Sequence, residues 1–279
     1  MPHTHLVTAP TLPIRPRDMH KGDAGKLLLV GGSVGYTGAL TLSAKAALRT
    51  GAGLVFMGVP EDIYQVVASA NLEAMPFPLP KDNLVPALSQ RLETCDTLLL
   101  GPGLGQSPEL DELVCTLIQT AKVPVILDAD GLNAVSRHID ILDKAQAPLI
   151  LTPHEGEFTR LGGDLSKQDR LTAARAFAER HQCILVLKGP GTISAFPDGS
   201  AFVNQTGNPG MAKGGSGDVL AGILTALIGQ GFPLEEAVPT GVWIHGKAGD
   251  LAAHAFGEYS MLPTDTIDML PEVLKSITR

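Results

Sequence analysis

The chain has 279 residues, a formal net charge of −8 and an apolar fraction of 44 %. This is enough apolar material for a sizeable core, and the wrong sign for a nucleic-acid or anionic-membrane surface. No apolar run reaches the ~18 residues expected of a membrane helix, and the opening residues lack the apolar centre of a secretory signal. Cys95, Cys115 and Cys183 are scattered and form no Cys-x-x-Cys pair; they read as thiols in a reducing compartment, and the cytoplasm is the expected location.

Residues 1–24 read as an irregular arm containing Pro and His. Lys26–Val30 predicts a short apolar strand that stops at Gly31-Gly32-Ser33, and 38–50 a helix with a small-residue face. On that face Ala39 sits beside the glycine turn, where a small side chain serves either close packing or close approach to a ligand. A strand over 54–59 and a helix over 60–70 follow. Asp96–Leu100 is a buried strand that breaks into Gly101-Pro102-Gly103-Leu104-Gly105. That run lacks the spacing of a dinucleotide fingerprint, and is either a bare turn or a place where backbone meets a ligand at a strand's carboxyl end.

Val123–Leu127 predicts the next strand, ending in Asp128-Ala129-Asp130. Two carboxylates there either hold Mg²⁺ through water or cap the next helix; the reading favours function for Asp128 and capping for Asp130. Pro148–Leu151 leads into Thr152-Pro153-His154-Glu155-Gly156-Glu157. His154 is placed to recognise a polar substrate or is merely solvated, and Glu155 or Glu157 stands near any metal. A charged helix is expected over 166–182, then a strand over 183–187 ending in Lys188-Gly189-Pro190-Gly191-Thr192, a lysine-glycine turn suited to a nucleotide phosphate or ribose. Ile193–Phe196 and Ala201–Val203 read as a hairpin about Pro197-Asp198-Gly199-Ser200.

The most telling stretch is Asn208–Asp218, with Gly214-Gly215-Ser216-Gly217-Asp218 at its end. Apolar residues at 219, 220, 223, 224, 227 and 228 mark one face of the helix that follows. A glycine loop entering a helix N-terminus offers free N–H groups and a positive dipole end to an anion. Asp218 in the first turn would repel phosphate unless it takes a proton from an attacking hydroxyl; the plainer alternative is an acid that stabilises its own helix. Lys213 precedes the glycines, so this is no Walker loop, and its cation either reinforces phosphate binding or points to solvent. Helices over 233–256 and 265–278 complete the chain, and no chemistry is assigned to His245, Lys247 or His254. Strands alternating with helices, without a linker or repeat, predict a predominantly parallel α/β sheet in one domain over 1–279.

Gly31-Gly32-Ser33, Gly101–Gly105, Asp128–Leu132, Thr152-Pro153-His154 with Glu157, Lys188-Gly189 and Gly207–Gly222 occur in this order in the ADP/ATP-dependent NAD(P)H-hydrate dehydratases, which the chain resembles over nearly its whole length. The resemblance implies a ribokinase-like three-layer sandwich and a two-stage reaction. A nucleotide phosphorylates the hydroxyl that hydration placed on the nicotinamide ring, and phosphate then leaves to regenerate NADH or NADPH. It implies Asp218 as the base, amides of Gly214, Gly215, Ser216 and Gly217 around the transferring phosphoryl group, and Ala39, Gly103 or Gly105, His154 and Asp218 against the hydrate. Lys188, Gly189, Pro190, Gly191, Thr192 and Gly217 would face the nucleotide. Mg²⁺ would bridge its phosphates, with Asp128 and Glu157 as candidate ligands. ADP is favoured over ATP, a homotetramer is expected, and an epimerase for the hydrate would be a separate protein. The competing expectations are a vitamin-precursor kinase of the hydroxyethylthiazole type, which stops at the phosphoester, and a nucleotide-binding regulator without catalysis.

Overall fold

A computed structural model of the chain describes residues 3–80 and 82–279. Its strands are β1 (Thr4–Leu6), β2 (Lys26–Val30), β3 (Leu54–Pro60), β4 (Met75–Leu79), β5 (Thr97–Leu100), β6 (Val125–Leu127), β7 (Leu149–Leu151), β8 (Ile184–Leu187), β9 (Ile193–Ala195) and β10 (Ala201–Val203). They form a ten-stranded sheet in the order β1-β10-β9-β8-β7-β6-β5-β2-β3-β4. β9 runs antiparallel to both its neighbours; the remaining pairs are parallel. The helices are α1 (Thr37–Arg49), α2 (Glu61–Ala70), α3 (Leu84–Leu92), α4 (Pro108–Thr120), α5 (Asp130–Ser136), α6 (Glu155–Arg160), α7 (Arg170–His181), α8 (Ser216–Gly229), α9 (Leu234–Phe256) and α10 (Pro263–Ile277).

Successive side chains of a strand point to opposite faces, and continuously apolar strands therefore need cover on both. Leu27, Leu29, Leu99, Ile126, Ile150 and Val186 pack into one core with residues of α1, α2, α8, α9 and α10. Leu28, Val30, Leu98, Leu100, Leu127 and Leu185 pack into the other with residues of α3, α4, α5 and α7. Every residue of α8 from Val219 to Gly229 is buried, because it runs against the sheet and is flanked by α1 and α9. Gly222 permits this: a Cβ there would lie 2.2 Å from the Ser43 carbonyl oxygen.

Two elements depart from the sequence-based expectation, and a third falls where none was stated. The arm expected to be irregular contributes Thr4–Leu6 as an edge strand along Ala201–Val203; residues 1 and 2 lie outside the described residues. The charged helix begins at Arg170 rather than Ser166, because Asp169 accepts from the amides of Leu171 and Thr172 as its N-cap and Ser166 is held by Asp164 in a separate turn. Met75–Leu79 is a strand despite Pro76 and Pro78. It is the outermost strand of the sheet, where proline is tolerated because one side of the strand has no ladder to satisfy.

Because β2, β5, β6, β7 and β8 are parallel, their carboxyl ends share one edge of the sheet. The glycine-rich turns after residues 30, 100, 127, 151 and 187 gather there, as open α/β sheets arrange their ligand sites.

Candidate functional site

The site is assembled from these turns and the start of α8. Gly215 precedes the helix with φ +101° and its Cβ would meet Leu42 at 2.7 Å, so only glycine enters the helix at this angle without strain. Ser216, Gly217 and Asp218 form the first turn, whose N–H groups have no partner within the helix; the Ser216 amide, expected at the phosphoryl group, donates instead to the Lys213 carbonyl at 3.2 Å, which closes the loop before the helix. Ser43 of α1 donates through Oγ to the Asp218 carbonyl at 2.9 Å and to the Ala39 carbonyl at 3.3 Å. That bond ties the turn bearing the acid to the helix bearing Ala39.

Beneath this turn lies a charged cluster. Lys188 Nζ is 2.8 Å from Asp128 Oδ1 and 3.7 Å from Glu157 Oε2. Thr152 Oγ1 also donates to Asp128 Oδ1 at 2.8 Å. A Cβ on Gly217 would stand 3.3 Å from Lys188 Nζ and 3.8 Å from Asp128 Oδ2, so the helix start rests on this pair. Burial works against the Lys188 charge, but Asp128 and Glu157 outweigh it, and the ammonium is held above its ordinary pKa with Asp218 contributing. The Asp218 carboxyl is pushed up to about 7: burial is the largest cause, Asp128 and Glu157 add to it, and Lys188 opposes it. One ammonium faces three carboxylates, and Asp218 is the acid left to hold its proton into the neutral range.

The structure therefore brings Asp128, Glu157, Lys188, Gly217 and Asp218 together. It pairs Asp128 and Glu157 with an ammonium, and among the described residues no group of three His, Cys, Asp or Glu side chains is arranged to hold a metal ion. His154 joins the same edge: the Lys188 amide donates to the Pro153 carbonyl at 2.8 Å, and His154 and Lys188 form a lone parallel bridge. Its imidazole is engaged locally, accepting at Nδ1 from the amides of Gly156 and Glu157 while Glu157 accepts from the His154 amide. This reciprocal cap leaves Nε2 on a half-exposed ring, 3.6 Å from Glu157.

Gly103 and Ala39 are neighbours, since a Cβ on Gly103 would lie 3.2 Å from the Ala39 methyl, and Ser33 Oγ donates to the Gly103 carbonyl at 2.8 Å. Gly105 is held differently: its amide donates to Asp130 Oδ2 at 2.9 Å. Asp130 also accepts from the side chains of Gln106 and Asn133; contrary to the capping expectation it is the first residue of α5, whose N-cap position is Ala129 without a side-chain cap bond, and its carboxylate fixes the glycine turn. Between the two aspartates Ala129 has φ +49° and ψ −114°, a conformation costly for a residue with a Cβ. Of the glycines before α8, Gly214 is exposed, with open space where a Cβ would be. In the turn after β8, Thr192 Oγ1 donates to the Gly189 carbonyl at 3.0 Å.

Lys213 does neither of the two things its position suggests. Its ammonium donates to the carbonyls of Tyr259 and Met261 and fastens the 257–262 turn to the glycine loop. Three residues escaped the sequence reading. Ser43 was legible only as a small residue, and Arg170 only as one more charge on an amphipathic helix. His245 has a buried Nε2 without a partner among the described residues; burial and, secondarily, Lys188 push its pKa down to about 4 against the backbone of Ser216. No signal at the level of spacing marks any of them.

A parallel sheet carrying glycine turns at its carboxyl edge, with an acid in the first turn of a buried helix, defines a ribokinase-like protein. A ribokinase-like superfamily protein of Enterococcus faecalis matches with a TM-score of 0.89 at 27 % identity, over 99 % of this chain and 96 % of that one. An ADP/ATP-dependent NAD(P)H-hydrate dehydratase of Bacillus subtilis, co-crystallised with ATP and Mg²⁺, matches with a TM-score of 0.84 at 33 % identity, over 96 % of this chain and 95 % of that one. A bifunctional NAD(P)H-hydrate repair enzyme of Moorella thermoacetica is 44 % identical in an alignment 277 residues long that covers 95 % of this chain and 52 % of that protein. The chain thus spans about half the length of the curated relatives it matches. The sequence pattern of NAD(P)H-hydrate dehydratases fits residues 27–272, and the chain belongs to that family.

Proposed function

We propose that the protein catalyses the ADP-dependent dehydration of hydrated NADH and NADPH, restoring the reduced dinucleotides. The observation that carries this reading is Asp218, raised to about 7 in the first turn of the helix that offers its amides to an anion. A base with a pKa near the working pH combines a useful deprotonated fraction with adequate proton affinity. Asp218 takes the proton from the hydrate hydroxyl, whose oxygen attacks the terminal phosphoryl group of ADP, and AMP departs. The amides of Gly214, Gly215 and Gly217 stabilise the charge on the transferring group, while that of Ser216 is engaged by the Lys213 carbonyl. Phosphate then leaves the ring carbon, helped by the lone pair of the ring nitrogen, and the neighbouring carbon loses a proton.

In this reading Ala39, Gly103, Gly105 and His154 line the dinucleotide side, and Lys188, Gly189, Pro190, Gly191 and Thr192 the nucleotide side. Asp128 and Glu157 face Lys188, so the donor set offers no protein-built cage for Mg²⁺, and the ion enters as the nucleotide's own counter-charge. Lys188 is the fixed cation beneath the phosphoryl seat. The epimerisation that supplies the reactive hydrate epimer belongs to a partner activity. A homotetramer, the assembly expected for the family, is checked by light scattering.

The test mixes protein, Mg²⁺, ADP and hydrated NADH and follows reduced-nicotinamide absorbance. An ADP-dependent rise, absent in Asp218→Asn, supports the reading. A phosphoester that accumulates without NADH would instead assign a kinase that stops after the first stage. Nucleotide binding without any turnover would leave a regulator.

A further inference from the structure

Arg170, the first residue of α7, reaches away from its own helix into the turn after β8. Its Nη1 donates to the carbonyls of Pro190 at 2.5 Å and Gly191 at 3.4 Å, and its Nη2 to those of Leu187 at 3.3 Å and Lys188 at 3.1 Å. Nε lies 3.0 Å from Glu155 Oε1. Gly189 has φ +144° and a Cβ on it would come within 2.7 Å of Nη2; the turn has been shaped around the guanidinium.

A trans peptide points its C=O and its N–H in opposite directions. Each carbonyl turned toward Arg170 therefore aims the following N–H to the other side. Leu187 shows the consequence: its carbonyl faces Arg170, and the Lys188 amide on the far side donates to the Pro153 carbonyl in the turn that carries His154. By the same geometry the carbonyls of Lys188, Pro190 and Gly191 present the amides of Gly189, Gly191 and Thr192 to that side. Among the described residues, none of these three amides has a backbone or side-chain acceptor. Successive free amides of this kind form a nest for an anion.

We infer that Arg170 is the positioning residue of the nucleotide site: by gathering four carbonyls on one side of the 187–191 turn, it pre-forms an amide nest for a phosphate oxygen of the nucleotide on the other. Its Nε faces Glu155 in the turn bearing His154 without a hydrogen bond, so the four carbonyls are what hold the guanidinium. Arginine suits the role because its planar fork serves several acceptors at fixed angles, whereas a lysine ammonium is a point charge on a flexible stem. The inference rests on the assignment of Lys188–Thr192 to the nucleotide.

The test compares wild type, Arg170→Gln and Arg170→Lys by steady-state kinetics, by equilibrium dialysis with ADP, and by hydrogen exchange of the 189–192 amides. In Arg170→Gln the KM for ADP and the dialysis Kd rise about ten-fold or more, the KM for the hydrate stays within about two-fold, and exchange at 189–192 accelerates. Arg170→Lys recovers part of the loss. Equal rises in both KM values, or an unchanged Kd for ADP, would overturn the inference. Should Arg170→Gln not fold, Arg170→Lys decides by the same split. Should wild type bind ADP and yet regenerate no NADH, the dehydratase reading falls, and dialysis and exchange still judge Arg170. Should wild type bind no ADP, the inference falls as well.

Discussion

Replacing Asp218 by Asn is expected to abolish turnover and, above neutrality, to make the protein more stable. In the folded state the carboxyl titrates at about 7 against an ordinary 3.8. A folded-state pKa raised above the unfolded value means that the native state binds the proton more tightly, so stability is lost as pH rises between the two values. The displacement corresponds to at most about 4 kcal/mol at high pH, taking about 1.4 kcal/mol per tenfold in proton affinity. Asp218 is only half-buried, and screening by solvent brings the expected cost to about 2 kcal/mol. Asn keeps the shape of the side chain and removes the charge, while Lys188 keeps Asp128 and Glu157 as partners. Thermal unfolding of the unliganded protein at pH 8 is therefore expected to show Asp218→Asn melting about 3–4 °C above wild type. At pH 4, close to the unfolded carboxyl's own pKa, the gap shrinks toward zero. A variant that is less stable than wild type at pH 8, or a gap independent of pH, would refute the account of how the acid is held.

The same carboxyl must be ionised to act as a base, so kcat/KM for the hydrate is expected to fall about ten-fold per pH unit below about 7, read from a pH–rate profile. Lys188→Met leaves Asp128, only 2 % exposed, beside Glu157 without their cation. A loss of about 3–5 kcal/mol is expected in denaturant unfolding, larger than for Lys188→Arg. Gly222→Ala forces a methyl to within 2.2 Å of the Ser43 carbonyl oxygen; separating α1 from α8 is expected to cost about 1–3 kcal/mol and to lower kcat with it. The Cys183 thiol, pushed up to about 12 mainly by burial with Asp143 adding to it, is expected to resist thiol reagents at pH 8 until the protein is unfolded. Lys213→Ala is expected to loosen the 257–262 turn in hydrogen exchange while leaving the Kd for ADP within about two-fold, since its ammonium is spent on carbonyls.

The sequence by itself determined the elements whose burial is read from spacing alone. Strands such as Leu27–Val30 and Ile184–Leu187 are apolar at every position, and both faces of the sheet are indeed covered. The glycine loop entering α8 and its lone acid were legible for the same reason: free amides at a helix start and a carboxylate beside them carry chemistry without knowledge of what surrounds them. The edge strand Thr4–Leu6 was not legible, because three residues with no apolar alternation become a strand only when Ala201–Val203 offers a ladder. Nor could sequence place Asp128 beside Lys188, 60 positions away and 2.8 Å distant. Only the tertiary structure set the acidity of Asp218, which depends on burial and on charges delivered by β6, α6 and β8. It alone turned Lys213 toward the carbonyls of Tyr259 and Met261 and Arg170 toward those of the 187–191 turn. A motif fixes which groups are present; pKa and direction follow from neighbours that the fold, and not the chain order, brings within a few ångströms.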